Sequence, residues 1–309
     1  MSDQVVELSQ ESIAKGSKSF AAAARLFARG TREDCVMLYA WCRHCDDVID
    51  GQELGHAQRA DYREGQLSRL DALRSSTDRA LVEGKADDPI FMALARVATK
   101  NSIPAVYPQQ LLRGFEMDVA GRTYSSVEDT LDYGYHVAGV VGVMMAMIMG
   151  TRDPAVLDRA SDLGIAFQLT NIARDVIEDA RNGRVYLPAE LLQANGIAEV
   201  DADDRAQWPR LHAAALQLLD IAEPYYASAL AGLPALPLRS AWAIGAARRV
   251  YREIGEKLRR EGPEAWAQRV STTRAEKAKL LMGGLVDAMT SRSAPKVGPR
   301  AGLYRRPSQ

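Results

Sequence analysis

Residues 168–188 read QLTNIARDVIEDARNGRVYLP, and the spacing of their polar side chains predicts the inner face of a helix. At about 100° per residue, four polar residues share a stripe about 80° wide. They are Gln168, Asn171, Asp175 and Asp179. Directly beside this stripe runs an apolar one, formed by Ile165, Leu169, Ile172 and Val176. Because an apolar stripe normally faces the core, the neighbouring carboxylates are expected to point inward or into a cavity.

The two carboxylates of this helix need a partner from outside it. No Lys or Arg stands three or four residues from Asp175 or Asp179, so ion pairs at helical spacing cannot neutralise them. Two unpaired carboxylates beside a core face are costly, and a divalent cation is a natural partner. The alternative is an ordinary acidic face in contact with water.

A second stretch repeats the four-residue carboxylate spacing with Asp46 and Asp50. Tyr39 and Arg43 share a helix face about 60° wide with both of them. Arg43 can pair with Asp46 or Asp47, or it can bind an anionic ligand. Hard cations held by a few carboxylates complete their coordination with water and phosphate oxygens. The two stretches together therefore indicate a two-sided metal site that serves a diphosphate.

These two stretches resemble the aspartate-rich signatures of the squalene/phytoene synthase family. The first is preceded by YAWCR, and the second reads NIARDVIEDARNGRVYLP over residues 171–188. Two more segments match in the same order, SKSF at residues 17–20 and YGYHVAG at residues 133–139. The resemblance covers residues 12–290, and four ordered motifs are far more specific than any single one.

The resemblance implies an all-α fold, a single-domain helical bundle of the isoprenoid-synthase type around a central cavity. It also implies a prenyltransferase that joins two identical isoprenoid diphosphates head to head. The reaction passes through a cyclopropylcarbinyl diphosphate, prephytoene diphosphate in the C40 case, which then ionises and rearranges. Mg²⁺ or Mn²⁺ is expected as the cofactor that neutralises the departing diphosphate. The expected metal ligands, four of which are also the expected catalytic carboxylates, are Asp46, Asp50, Asn171, Asp175 and Asp179.

The matching positions also imply the remaining site residues. Tyr133 is the further catalytic residue, expected against the reacting carbons. Substrate contacts are expected from Ser17, Lys18, Ser19, Phe20, Tyr39, Arg43, Gln168, Arg174, Arg184, Tyr251 and Arg269. Arg174 lies off the aspartate stripe, so a structural salt bridge is the alternative for it. Squalene-forming relatives carry Tyr where this chain has His136, which favours phytoene formation from geranylgeranyl diphosphate and leaves the role of His136 open.

Several other functions stay open at this point. A squalene or dehydrosqualene synthase would use C15 farnesyl diphosphate, and a terpene cyclase or chain-elongating prenyltransferase would use similar metal chemistry. A non-catalytic helical assembly factor should have eroded aspartates, whereas this motif set is intact. The chain has no Gly-x-Gly, which disfavours a dinucleotide oxidoreductase. NADPH is not expected, although squalene synthases bind it without that fingerprint.

Composition indicates an ordinary globular protein. The chain has 309 residues, 47% apolar and 26% charged, and its net charge of −1 gives no reason to expect nucleic acid as a partner. Three cysteines cluster in one predicted helix and, with no export signal, suggest a reduced, cytoplasmic chain. Cys42 and Cys45 lack a second cysteine pair, so helix packing is favoured over zinc binding.

The pattern along the chain predicts helix after helix. The predicted helices span residues 4–15, 20–29, 31–50, 58–83, 89–101, 108–121, 126–149, 154–181, 187–194, 205–230, 237–260 and 273–290. Gly30 is expected to end the second helix, and Thr31 with Asp34 resembles a capping box for the third. One all-α domain is expected over residues 1–290. Residues 291–309 are expected to form a basic, disordered tail with a weak attraction to anionic lipid.

Residues 137–149, VAGVVGVMMAMIM, form an apolar run that is too short to span a bilayer. Gly139 and Gly142 leave space beside the helix backbone, which suits either close helix packing or a groove for a long hydrocarbon chain. The nearby aspartates favour a groove, with a lining of Met144, Met145, Met147 and Met149. Peripheral contact with the inner membrane surface is expected, and other carotenoid-pathway enzymes are candidate partners.

Overall fold

The computed structural model describes residues 18–52, 61–293 and 300–307, together with the isolated positions 6 and 9. Within these residues the secondary structure is helical, without β-strands. The helix predicted over residues 4–15 lies outside the described residues apart from those two positions. For residues 18–20 the structure describes the backbone alone.

Twelve α-helices are found in the described part of the chain. They are α1 (Lys18–Ala24), α2 (Arg29–Asp50), α3 (Gln66–Leu81), α4 (Pro89–Lys100), α5 (Val106–Val119), α6 (Val127–Gly134), α7 (Val140–Ile148), α8 (Pro154–Arg181), α9 (Ala189–Ala194), α10 (Trp208–Leu230), α11 (Leu238–Glu261) and α12 (Arg274–Thr290). A π-helical segment, Tyr135–Gly139, joins α6 to α7 without a break. Short 3₁₀ turns occur at Arg205–Gln207, Leu233–Ala235 and Pro263–Ala267.

Several helix starts follow local sequence chemistry. Asp88 and Asp153 cap α4 and α8, and each is followed by a proline at the first helical position. Ser126 opens α6 through a capping box with Asp129. In α5, by contrast, Pro108 is the third residue of the helix and not the first, because the helix begins at Val106.

The predicted boundary between the second and third helices is wrong. Gly30 lies inside α2, which begins at Arg29, so Thr31 is not a helix cap. Asp34 does not close a capping box, because its buried carboxylate accepts hydrogen bonds from Lys100 Nζ (2.9 Å) and Asn101 Nδ2 (3.2 Å). A cation from a neighbouring helix stabilises a buried carboxylate better than a backbone amide of its own helix.

Helix α8 is central to the arrangement of the other helices. It packs against α10, α7, the π-helical segment and α11, whereas α2 packs against α4, α3, α5 and α7. The apolar stripe of α8 predicted from the sequence is buried, as expected. Side chains of α2 and α8 line a common cavity, so the two aspartate-bearing helices face each other across it.

The apolar run lies in a helical stretch, Val127–Ile148, that is long and apolar enough to cross a membrane by length and composition. Because 72% of its most apolar window is buried inside the protein, a core helix is the better description. A Cβ atom on Gly142 would lie 2.3 Å from the carbonyl oxygen of Ala160, and one on Gly164 would lie 2.3 Å from that of Ala138. These glycines therefore serve close packing of α7 and the π-helical segment against α8.

Residues 300–307 belong to the tail for which disorder is expected, yet they pack against the helices. Arg300 donates to the buried carboxylate of Asp162, and Tyr304 donates to Asp132. The expectation of disorder therefore does not hold for these residues. Residues 294–299 and 308–309 lie outside the described part of the chain.

We expect Gly142→Ala to destabilise the protein, because the added methyl group would overlap the backbone of α8. The free energy of unfolding should fall by about 1–3 kcal/mol, measured by urea denaturation and seen as a lower melting temperature. Gly30→Ala is the matched control, since no atom lies within 4 Å of a Cβ at this exposed helical position. A Gly142→Ala variant as stable as the control would contradict the close approach of the two helices.

Candidate active site

The cavity between α2 and α8 has a polar part that is lined by Asp46 of α2. Helix α5 contributes Asp118, and the end of α6 contributes Tyr133. The complete lining of the polar part is Tyr39, Cys42, Arg43, Asp46, Leu111, Phe115, Asp118, Tyr133, Val137 and Gln168. Five of the predicted site residues therefore lie together here although they come from three separate helices.

An apolar chamber adjoins the polar part and shares Tyr39, Arg43 and Gln168 with it. It encloses about 1320 Å³ free of protein atoms, including its mouth, and extends between α7, α8, α10 and α11 as far as Leu236. The predicted groove thus exists, and its walls are mostly apolar.

Two of the four methionines that are predicted to line this chamber do not line it. Met145 and Met149 line the chamber, whereas Met144 and Met147 are buried in the core and do not contribute to its wall. The reason is helical geometry, because Met144 and Met147 lie on a different face of α7 from the other pair.

On α2, both aspartates are held by arginines. Arg43 Nη1 donates to Asp46 Oδ2 at 2.5 Å, and Arg184 donates to both carboxylate oxygens of Asp50 at 2.5 and 3.2 Å. The Asp46 side chain is 38% exposed, and it lines the cavity. Desolvation in this cavity raises the pKa of Asp46 to about 7 against the opposing effect of Arg43.

On α8, the two aspartates differ from each other. Arg174 Nε donates to Asp175 Oδ1 at 2.7 Å, and Arg269 Nη2 lies 3.7 Å from Asp175 Oδ2. The carboxylate of Asp179 has no hydrogen bond or ion pair with any residue that the structure describes. Burial, and then the charge of Asp175, raise the pKa of Asp179 to about 8. The expectation of two unneutralised carboxylates therefore holds for Asp179 and is wrong for Asp175, whose partner is its immediate neighbour.

The donor set of α8 fits a divalent cation. Among the described residues no group of three or more His, Cys, Asp or Glu side chains forms a preassembled metal site. Asn171 Oδ1, however, is buried without a hydrogen-bond partner in the described structure and lies on the same face as Asp175 and Asp179. Hard oxygen donors of this kind suit Mg²⁺ or Mn²⁺, with diphosphate and water oxygens completing the coordination.

An aromatic wall closes the polar part on the side of α6. The rings of Tyr133 and Tyr186 stack with centroids 4.8 Å apart, and Tyr124 packs against both at 5.2 and 5.7 Å. Asp118 accepts hydrogen bonds from the hydroxyls of Tyr133 (3.1 Å) and Tyr186 (2.8 Å). Burial raises the pKa of Asp118 to about 6, although Arg184 and the two phenols counteract this shift.

Asp118, Tyr124 and Tyr186 are absent from the residues expected from the sequence. Asp118 does carry a sequence signal, because it follows Leu111 and Phe115 at spacings that place a carboxylate on the apolar face of α5. Tyr124 and Tyr186 carry none, since their contacts with Tyr133 depend on how separate segments meet.

The other expected site residues fall into three groups. Tyr251 stacks on Phe167 at 4.0 Å and lines the chamber, as Gln168 does. Arg269 is 62% exposed and reaches the site through its approach to Asp175. Ser17 lies outside the described residues, and nothing is described of the side chains of residues 18–20.

His136 does not line either part of the cavity. It is buried, and its Nδ1 lies 2.8 Å from the backbone carbonyl oxygen of Asp132. Burial lowers its pKa, so the neutral imidazole is favoured. Cys35 and Cys45 are buried free thiols in the core, in agreement with helix packing as the role of the cysteine cluster.

Comparison with known proteins gives consistent matches. A family model described as squalene/phytoene synthase matches residues 13–276. The 15-cis-phytoene synthase of Paracoccus sp. (strain N81106 / MBIC 01143) is 53% identical over 99% of both chains. That of Pantoea ananas is 50% identical over 96% of both chains. A crystal structure of a dehydrosqualene synthase has a TM-score of 0.81 at 26% identity and covers 94% of this chain and 98% of its own. A squalene synthase structure from Alicyclobacillus acidocaldarius, at 24% identity, shares the fold with a TM-score of 0.70 over 84% of this chain and 94% of its own.

We expect Asp179→Asn to stabilise the metal-free protein at pH 8. The folded pKa of about 8 exceeds the ordinary value of 3.8, so the folded state binds this proton more tightly than the unfolded state does. That stabilisation is complete below the unfolded pKa and is lost as the pH rises through 8. The variant should therefore melt a few degrees above the original protein at pH 8, and the difference should shrink toward pH 5.

Thermal melts in chelator at several pH values measure this difference. Glu178→Gln is the matched control, because Glu178 is the exposed neighbour on the same helix. Adding Mn²⁺ should raise the melting temperature of the original protein and of the control more than that of the Asp179→Asn variant. A lower melting temperature for Asp179→Asn at pH 8 would show that its carboxylate stabilises the fold.

Proposed function

The chain belongs to the squalene/phytoene synthase family, and from this premise we propose that it condenses two geranylgeranyl diphosphates head to head into phytoene. It is a prenyltransferase with the all-α, isoprenoid-synthase-type fold predicted from its motifs. Prenyl diphosphates are the substrate class of this family. The observation that carries the proposal is a single cavity in which two aspartate helices face each other beside a long apolar chamber.

Diphosphate binding is assigned to the polar part of the cavity. A bound Mg²⁺ or Mn²⁺ would be held by Asn171, Asp175 and Asp179 of α8 and by the aspartates of α2, and would neutralise the departing diphosphate. Arg43, with Nε buried and without a hydrogen-bond partner in the described structure, is positioned to donate to diphosphate oxygens. Further positive charge comes from Arg184, which is ion-paired with Asp50, and from Arg174 and Arg269, which are ion-paired with Asp175.

The hydrocarbon chains are assigned to the apolar chamber. Its walls exclude water from the allylic cation that ionisation leaves behind. The ring of Tyr133 lines the polar part and presents aromatic surface to that cation, while the ring of Tyr186 stacks on it. The carboxylate of Asp118 accepts hydrogen bonds from both phenols and holds them in place. The intermediate is prephytoene diphosphate, and the last cation loses a proton, so the reaction consumes no NADPH.

A peripheral membrane contact is proposed at α12, in keeping with a cytoplasmic protein that exchanges apolar substrate and product with the inner membrane. Met282, Val286 and Met289 are 59%, 55% and 58% exposed on one face of this helix, with exposed Lys279 on the same face. The acidic residues of α12 are ion-paired with other helices, so they do not oppose an anionic surface. Other enzymes of carotenoid synthesis are proposed partners at such a surface.

We expect purified protein to convert geranylgeranyl diphosphate into phytoene with Mg²⁺ or Mn²⁺ as the sole addition. The product is identified by its mass as a C40 hydrocarbon. Asp46→Asn and Asp175→Asn should each lower turnover by at least about 100-fold. Each variant lacks a carboxylate that is proposed to hold the metal ion, so the charge of the departing diphosphate would not be neutralised. Glu178→Gln is the control and should keep normal turnover.

Three outcomes would contradict this function. Full activity in EDTA would exclude the metal site, and a strict need for NADPH would indicate a reductive condensation. A clear preference for farnesyl diphosphate would favour a C15 synthase, the class to which the dehydrosqualene synthase with the same fold belongs.

We expect the double substitution Met282→Glu with Val286→Glu to weaken co-flotation with vesicles that contain anionic lipid. Buried apolar area and positive charge drive such binding, and the two new carboxylates oppose both. Turnover of detergent-dispersed substrate should stay unchanged. Leu67→Glu is the control, because Leu67 is an exposed apolar residue on α3, 68% exposed. Equal flotation of all three proteins would exclude α12 as the contact surface.

A further inference from the structure

The C-terminal segment of residues 300–306 is bound to the helices through charged and phenolic groups. Arg300 Nε donates to Asp162 Oδ2 at 2.6 Å, and Arg306 donates to Asp158 and to Tyr107. Asp158 and Asp162 are one turn apart on α8, so they form a third Asp-x-x-x-Asp pattern in the chain. Its partners are arginines of the tail.

The receiving site on the helices is built for this segment. Asp162 is fully buried, and its carboxylate also accepts a hydrogen bond from Ser228 Oγ at 2.5 Å. A buried carboxylate without a cation is strongly destabilising, and Arg300 supplies one through a two-point contact. The backbone amide of Tyr304 donates to the hydroxyl of Tyr225 at 2.9 Å, which fixes the segment against α10 as well.

Tyr304 connects this segment to the helix that carries the aromatic wall. Its hydroxyl donates to Asp132 Oδ1 at 2.8 Å, and its ring centroid lies 5.7 Å from that of Tyr135. Asp132 directly precedes Tyr133, and Tyr135 begins the π-helical segment. π-Helical segments are rare, occur mostly as single turns within α-helices and are frequent at functional sites.

We propose that Tyr304 is a positioning residue for the condensation reaction, acting through Asp132 and Tyr135. By holding both, it fixes the helix that presents Tyr133 to the polar part of the cavity and Val137 to the apolar chamber. Arg300 and Arg306 anchor it to α8. The inference rests on the proposed function, and it assigns a role to a segment beyond residues 13–276, which the family model matches.

The test compares Tyr304→Phe with the original full-length protein. This variant keeps the ring and loses the hydroxyl that Asp132 accepts. We expect kcat to fall about 5- to 100-fold while KM changes less than about 2-fold, because the Tyr133 helix is displaced from its reacting position. A larger share of the cyclopropylcarbinyl diphosphate should also be released before the second step. Arg305→Ala is the matched control, since Arg305 is an exposed neighbour in the same segment.

A double-mutant cycle with Asp132→Asn decides whether Tyr304 acts through Asp132. If it does, the double variant should be no slower than the slower single variant. Additive losses in kcat, or a normal kcat and product ratio for Tyr304→Phe, would overturn the inference. Hydrogen exchange of residues 132–139 is a readout independent of turnover. It should become faster in Tyr304→Phe and stay unchanged in Arg305→Ala, and equal exchange in all proteins would also count against the inference.

The proposed function and this inference fail in different ways. An original protein that makes no C40 product from geranylgeranyl diphosphate contradicts the function. The kinetic comparison is then made with farnesyl diphosphate, and the exchange measurement stands in either case. An active original protein with an unaffected Tyr304→Phe variant contradicts the positioning role alone.

Discussion

The need to neutralise buried negative charge governs how this protein is assembled. Helix α8 carries four aspartates in two pairs on different faces, and three of them are ion-paired. Arg306 and Arg300 of the tail bind Asp158 and Asp162, and Arg174 binds Asp175. Asp179 alone of the four has no such partner among the described residues. An unpaired buried carboxylate is costly, so the arginines stabilise the three aspartates that they contact. Asp179 lacks such a contact and is the carboxylate of this helix that a cation would stabilise most.

Close packing and the open cavity depend on the same helices. Gly142 and Gly164 allow α7 and the π-helical segment to approach the backbone of α8 so closely that no side chain fits between them. Met145 and Met149 follow Gly142 by one and two turns on the same side of the chain and border the chamber together with α10 and α11. The same side of the helix therefore packs closely against α8 at Gly142 and borders the chamber at Met145 and Met149. The polar part lies where α2 and α5 contribute Asp46 and Asp118 and α8 contributes Gln168.

The cavity region holds several carboxylates in electrostatically unfavourable surroundings. Burial raises the pKa values of Asp46, Asp118 and Asp179, so the folded protein without a cation holds these groups at an energetic cost. Such destabilised sites are a common consequence of selection for activity, and the remaining structure compensates for them. Here the compensation comes from ion pairs such as Arg184 with Asp50 and Arg300 with Asp162.

The sequence by itself predicted most of the helices, the starts of α4, α6 and α8 and both aspartate stripes, because these depend on residues within one or two turns of each other. It also identified the family through four ordered motifs. The tertiary structure decided which charges meet, since Arg184 lies 134 residues from Asp50 and Arg300 lies 138 residues from Asp162. Composition predicted a disordered tail because it shows the charged residues of the tail. It does not show the carboxylates of α8 to which those residues bind. Contacts of this kind depend on how distant segments of the chain pack together, and the spacing of residues within one segment does not specify that packing.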